Sequence, residues 1–301
     1  MFALMCAIWG ATWIAMKLGL ATVPPVLFAG TRFLAAGLLM LGIVAATGGR
    51  ARIAARDLPR LAAASALMVA AAYALLFWGA RFVSSGVAAV LDMALIPVSL
   101  LAIGALLGEE RLDRRRAVAI ATGVAGLAIL FGPKASATGA PGEAAGAAAI
   151  AASAVLYGLG SVLARPLLRR YAPLHLSGMT TLLGGAMLLA GSLPLEPGAV
   201  EALDLRWGAA AWAGWAFLVL FGSLCAYTIY MRLLRDWGPS RAGTYAFVSP
   251  VLAALMGMAA FGETLGASDA LGMAVMLGAA WLALREPGPA PRAARPAATA
   301  G

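Results

Sequence analysis

Only 12% of this 301-residue chain is charged, histidine occurs once, cysteine twice, and lysine only at Lys17 and Lys134. Each shortage removes a class of function. A soluble domain carries about one-quarter charged residues, so a chain this poor in charge and 62% hydrophobic cannot clothe a globular surface in polar side chains. With His175 as the sole histidine and no HExxH run, a hydrolase lacks both its base and its metal ligands. No GxxxxGK[ST] loop is present to cradle a nucleotide, which excludes ATP-driven pumping within the chain. No lysine sits deep in a helix to carry a retinal-type Schiff base. Cys6 and Cys225 lie inside apolar runs and read as small buried hydrophobes. No cofactor is expected.

What the chain has is apolar runs of about 17 to 24 residues, the length a helix needs to cross about 30 Å of hydrocarbon. These predict an all-α polytopic membrane protein with ten transmembrane helices near residues 2–20, 25–46, 61–79, 86–107, 117–133, 144–164, 174–193, 208–231, 242–261 and 268–284. The first run has no basic segment before it and no small-residue cleavage site after it, so it reads as a span and not a signal peptide. The formal charge of +9 does not imply nucleic acid, because the cations sit in short loops. Arginines gather in alternate loops: Arg50 to Arg60, Arg111 to Arg116, Arg165 to Arg170, Arg232 to Arg241, and Arg285 to Arg295. By the positive-inside rule that side is the cytoplasm, and both termini lie there. The other loops carry Glu143, Glu196, Glu201, Asp204, Glu263 and Asp269.

The chain also aligns with itself. Trp9-Gly10 falls on Tyr157-Gly158, Lys17 on Arg165, Gly30 on Gly178 and Gly37 on Gly185 at an offset of 148; Phe77 falls on Tyr230, Pro97 on Pro250, Glu110 on Glu263 and Leu112 on Leu265 at 153. The expected organisation is a first five-helix repeat at 1–133, a periplasmic connector at 134–143, a second repeat at 144–285 and a disordered cytoplasmic tail at 286–301. Five is odd, so the second copy enters the membrane from the opposite side. Inverted repeats of this kind build secondary transporters whose substrate site lies near the midplane between the halves.

The order Ile8-Trp9-Gly10-Ala11-Thr12-Trp13 to Lys17, Pro24-Pro25, Thr31-Arg32-Phe33-Leu34, and a Gly-Glu after the fourth helix of each half (Gly108-Glu109-Glu110-Arg111-Leu112 and Gly262-Glu263-Thr264-Leu265) resembles the EamA family of the drug/metabolite transporter superfamily over residues 1–285. The resemblance implies a bacterial inner-membrane carrier, commonly an exporter of amino acids or related metabolites, working by alternating access. A channel-like facilitator and a membrane scaffold are the remaining alternatives.

Two charges stand inside predicted spans, Arg32 and Asp92. Each costs about 2.5 to 3.5 kcal/mol on insertion scales and so needs a reason to be there. They could form a fixed ion pair that sets helix register, or Arg32 could snorkel to headgroups. The functional reading makes Arg32 a carboxylate contact and Asp92 its counter-ion or a site coupling transport to protons. Pro97 and Pro250 sit mid-helix, freeing the carbonyls of Met93 and Ala246, and are candidate hinges or simple kinks. Trp9, Trp13, Tyr73, Tyr157, Tyr227 and Tyr245 are candidate lining for an amphipathic solute, with Met93 beside them. Trp78, Trp207, Trp237 and Trp281 read as interfacial anchors. The expected partners are a small-molecule substrate, membrane lipid and protons as a candidate coupling ion.

Overall fold

The computed structural model describes residues 1–49, 52–83, 85–110, 113–134, 141–261 and 266–285. Most of the predicted connector, the whole tail from 286, and Glu263 with its neighbours lie outside them. Among the described residues there is no strand, and the helices form ten rods: α1 (Phe2–Leu20), α2 (Pro25–Ala46), α3 (Ala55–Gly79), α4 (Ser85–Leu106), α5 (Arg114–Phe131), α6 (Glu143–Leu168), α7 (Pro173–Leu195), α8 (Ala209–Trp237), α9 (Pro239–Ala259) and α10 (Ala267–Leu284). Nine are long and apolar enough to cross a membrane; α5 is left out of that set because it opens on Arg114, Arg115 and Arg116.

Local chemistry sets the starts. Proline stands at the first helical position of α2, α7 and α9, where its missing N–H costs nothing and its fixed φ suits a helix. Asp113 caps α5 by accepting from Arg115 N at 3.1 Å. The ends overrun the apolar runs. Helix α8 continues through Arg232, Arg235 and Asp236 to Trp237, with an i,i+4 contact from Arg232 to Asp236 at 3.7 Å, and α6 continues through Arg165 to Leu168. Hydropathy marks where hydrocarbon ends, whereas backbone hydrogen bonding carries a helix on into the polar zone.

Glycines let the rods close on one another, as expected of helices packing in lipid. The most extensive pairing is α2 on α7, and α5 lies along α10. A Cβ on Gly37 would fall 2.6 Å from Leu182 N, and one on Gly272 would fall 2.8 Å from Leu130 N. Two rods are irregular: α3 is π-helical over Ala66–Ala71 and α8 over Leu218–Tyr227.

The arginine-bearing segments gather at one end of the bundle. Phe2 packs on Trp237, Ala54 N donates to Tyr171 Oη, Arg115 Nε donates to Leu282 O, and Arg241 Nη2 donates to Leu284 O. At the other end the Glu196 carboxylate, arriving from α7, accepts from Val26 N and Leu27 N at 2.8 Å each and so caps α2 from outside; Ser192 Oγ donates to it at 2.7 Å. Of the tryptophans read as anchors, Trp78 and Trp281 are exposed but Trp207 is buried. Trp207 stacks on Trp212 at 4.6 Å and packs on Phe28 at 5.9 Å, plugging the bundle instead of facing headgroups.

Candidate functional site

A cavity of about 120 Å³ opens among seven rods, several times what one water needs. Its wall is Trp9, Thr12 and Met16 of α1, Arg32 and Phe33 of α2, Ala72, Tyr73 and Leu76 of α3, Asp92, Met93 and Ile96 of α4, Ser153 and Tyr157 of α6, Gly222, Ser223 and Tyr227 of α8, and Tyr245, Ser249 and Pro250 of α9.

The aromatic part of the wall is held in place. Trp9 Nε1 donates to Gly222 O at 3.2 Å, inside the π-helical stretch of α8. Its ring meets Tyr245 edge-on at 4.4 Å and Tyr230 at 5.5 Å. Tyr230 is fully buried behind the wall and donates to Ser161 Oγ at 2.9 Å. The Tyr227 hydroxyl lies 3.3 Å from Thr180 Oγ1 and 3.4 Å from Met68 Sδ. A buried hydroxyl left unpaired would cost about 1 to 3 kcal/mol, so these partners fix the rings' positions.

The two charges behave otherwise. Arg32 is 5% exposed and Asp92 7% exposed. The Arg32 guanidinium lies 4.4 Å from the Phe33 ring centre and 5.3 Å from that of Tyr73, and its Nε is buried without a hydrogen-bond partner. Among the described residues no ion pair within 4.0 Å joins Arg32 to Asp92. The register-setting pair offered by the sequence is therefore not formed, and Arg32 turns inward to the cavity instead of snorkelling outward, because its rotamer packs on two aromatic faces.

Trp9, Arg32, Tyr73, Asp92, Met93, Tyr157, Tyr227, Tyr245 and Pro250 thus meet around one space. The side chains of Trp13 and Lys17 lie outside the description. Pro97 is within α4 but off the cavity, packed beside Gly243 at the start of α9. His175 is buried edge-on to Tyr171 at 5.7 Å, away from the site. Thr12, Ser153, Ser223 and Ser249 were not singled out in the sequence, since small hydroxyls cost little in an apolar run and leave no signal.

The arginine-rich end is latched beneath the cavity. The Glu109 carboxylate takes Arg165 at 3.2 Å and Arg169 at 2.6 Å, and Arg165 also donates to the Glu109 carbonyl. Glu110 takes Arg116 at 3.5 Å and accepts from Ser240 N at 3.2 Å. Asp57 takes Arg170 at 2.6 Å and the Tyr171 hydroxyl at 2.8 Å. The turn after α4, with Gly108 at φ +70°, is thereby tied to α5, α6 and α9.

The sequence profile of the EamA-like transporter family matches residues 1–132 and 144–285. The chain belongs to that family. The inner membrane transporter YedA of Escherichia coli K12 is 31% identical over 273 residues, covering 90% of this chain and 85% of YedA. A transporter of Archaeoglobus fulgidus is 27% identical over 285 residues, covering 94% of this chain and 97% of its own length. A solved crystal structure superposes with a TM-score of 0.79 at 20% identity, over 94% of this chain and 95% of that one, and bears on the fold alone. The protein is a multi-pass membrane transporter of the EamA family, within the drug/metabolite transporter superfamily.

Proposed function

We propose that this EamA-family protein is a secondary transporter that exports a small metabolite, an amino acid or related amphipathic solute, across the bacterial inner membrane by alternating access. In this reading α5 is the tenth span, residues 1–133 and 144–285 are inverted halves, and both termini lie in the cytoplasm. The observation that carries it is one cavity holding a carboxylate at Asp92 and a guanidinium at Arg32, unpaired with each other, inside an aromatic wall drawn from both halves. Unpaired buried charge is costly. A zwitterion supplies both missing partners, its ammonium to Asp92 and its carboxylate to Arg32, while an apolar side chain lies on the rings. When the solute leaves, a proton on Asp92 would relieve the exposed cost, which is the proposed route of coupling.

The inverted plan draws support from the two π-helical stretches, which fall in the third rod of each half, and from the profile matching on either side of the connector. Alternating access draws support from the latch at the arginine-rich end, which the proposed orientation makes the closed cytoplasmic gate. The test is counterflow in proteoliposomes loaded with unlabelled amino acids, nucleosides or organic cations. Saturable exchange for zwitterionic amino acids is expected, abolished by Arg32→Gln in protein that elutes as a folded species. Absence of exchange for every class, with wild-type protein folded in the vesicles, would sink the reading.

A further inference from the structure

A second space lies apart from the cavity, on the flank of the bundle. Helix α7 packs closely on α3 along Leu58–Ala71, where Gly184 admits Val69 and Ser65. Beyond the end of the π-helical stretch at Ala71 the two rods part. A groove of about 600 Å³ opens between them and the start of α2, lined by Ala74, Phe77, Trp78, Leu188 and Gly191 with Arg81 at its rim. Tyr73 and Leu76 of the same helix face the central cavity, so α3 separates the two spaces.

We propose that this groove is a phospholipid site, with an acyl chain lying between α3 and α7 and the phosphate on Arg81. Two features choose this occupant. The groove lies between membrane-spanning rods and its wall is mostly apolar, Ser192 and Glu196 being its polar members besides Arg81, so water has few polar partners there, while emptiness forfeits dispersion contacts that a hydrocarbon chain would make. At its rim stands a cation at the acid-bearing end of the bundle, where the Glu196 oxygens are already taken by Val26, Leu27 and Ser192. Among the described residues no carboxylate lies within 4.0 Å of the Arg81 guanidinium. An apolar slot ending at an unpaired, exposed guanidinium matches a ligand with a long apolar chain and an anionic head. Trp78, on the groove wall and exposed, is of the residue type enriched where side chains meet headgroups.

The test uses the full chain in detergent, titrated with palmitoyl-oleoyl phosphatidylglycerol and read by native mass spectrometry, with oleate as the competing free acid. A Cβ on Gly191 meets nothing within 4 Å, and neither does one on Gly278 of α10, so a side chain can start from either backbone. Gly191→Trp is expected to fill the groove and weaken retention of one lipid on the order of tenfold, while Gly278→Trp leaves it unchanged. Arg81→Gln, at an exposed position, is expected to weaken it about fivefold, the worth of one interfacial cation. Equal retention in wild type, Gly191→Trp and Arg81→Gln would overturn the site. Oleate binding as tightly as the phospholipid would overturn its assignment to a lipid with a phosphate head.

Discussion

Buried charge is handled in two ways in this molecule. At the arginine-rich end every carboxylate of the latch has its cation: Glu109 has Arg165 and Arg169, Glu110 has Arg116, and Asp57 has Arg170. In the cavity Arg32 and Asp92 share a wall without pairing. The first arrangement holds helices together; in the second Arg32 lies on the Phe33 and Tyr73 rings and makes no ion pair with Asp92, and the proposed function assigns both charges to the solute. The contrast teaches that burial alone does not say what a charge does; whether a protein counter-charge meets it is the feature that sorts the two sets.

The strongest way to break this comparison is to remove one cavity charge. Asp92→Asn is expected to lower counterflow by about 10- to 100-fold, the worth of about 1.5 to 3 kcal/mol for a charge-assisted hydrogen bond to solute, while thermal stability stays level or rises. A clear fall in Tm would mean that Asp92 is a structural partner after all. Next comes the latch, where the opposite pattern is expected: Glu109→Gln lowers stability by about 1 to 3 kcal/mol, since two arginines lose their carboxylate, and a scanning-fluorimetry midpoint unchanged from wild type would refute its holding role. Solute affinity in the same variant should stay near wild type.

A smaller effect is expected at the far end. Glu196→Gln keeps one acceptor for α2 and loses the other, together with the negative charge that favours a helix N-terminus, so the loss should be about 1 kcal/mol in a thermal or denaturant midpoint. The smallest effect separates the two prolines. Pro250 borders the cavity and Pro97 does not, so Pro250→Ala should change turnover several-fold in counterflow with half-saturation nearly unmoved, and Pro97→Ala should do less. Identical turnover in both variants and wild type would remove the hinge role.

Much of this was legible in the sequence because lipid is an exacting solvent. A run such as Phe2–Leu20 or Pro25–Ala46 must pair every backbone group internally, so its length and its Pro24-Pro25 boundary give the helix almost to the residue. Arg32 and Asp92 were conspicuous because charge is so rare in such runs. The overrun of α8 to Trp237 was not legible, since hydropathy stops where the arginines begin. Nor were the latch and the Glu196 cap, because a loop glutamate costs nothing in water and its partners lie far away in sequence: Glu109 meets Arg165, and Glu196 meets Val26. Trp207 was misplaced for a related reason, as a tryptophan near a helix end serves equally as an anchor or a plug until its neighbours are known.

By itself the sequence determined that the chain lives in a membrane, where most of its helices run, which loops carry cations, and which family it belongs to, because these follow from apolar length, local punctuation and residue order along one strand of chain. Only the tertiary structure decided that Trp9, Tyr73, Asp92, Tyr157 and Tyr245 face one space, that Arg32 stacks on rings without pairing with Asp92, and that α3 and α7 part to leave a groove. Those facts depend on how each rod is rotated about its axis, and in a nearly uniform apolar helix such as α7 or α4 no polar face announces the rotation; the fit of glycine against backbone on the neighbouring rod sets it.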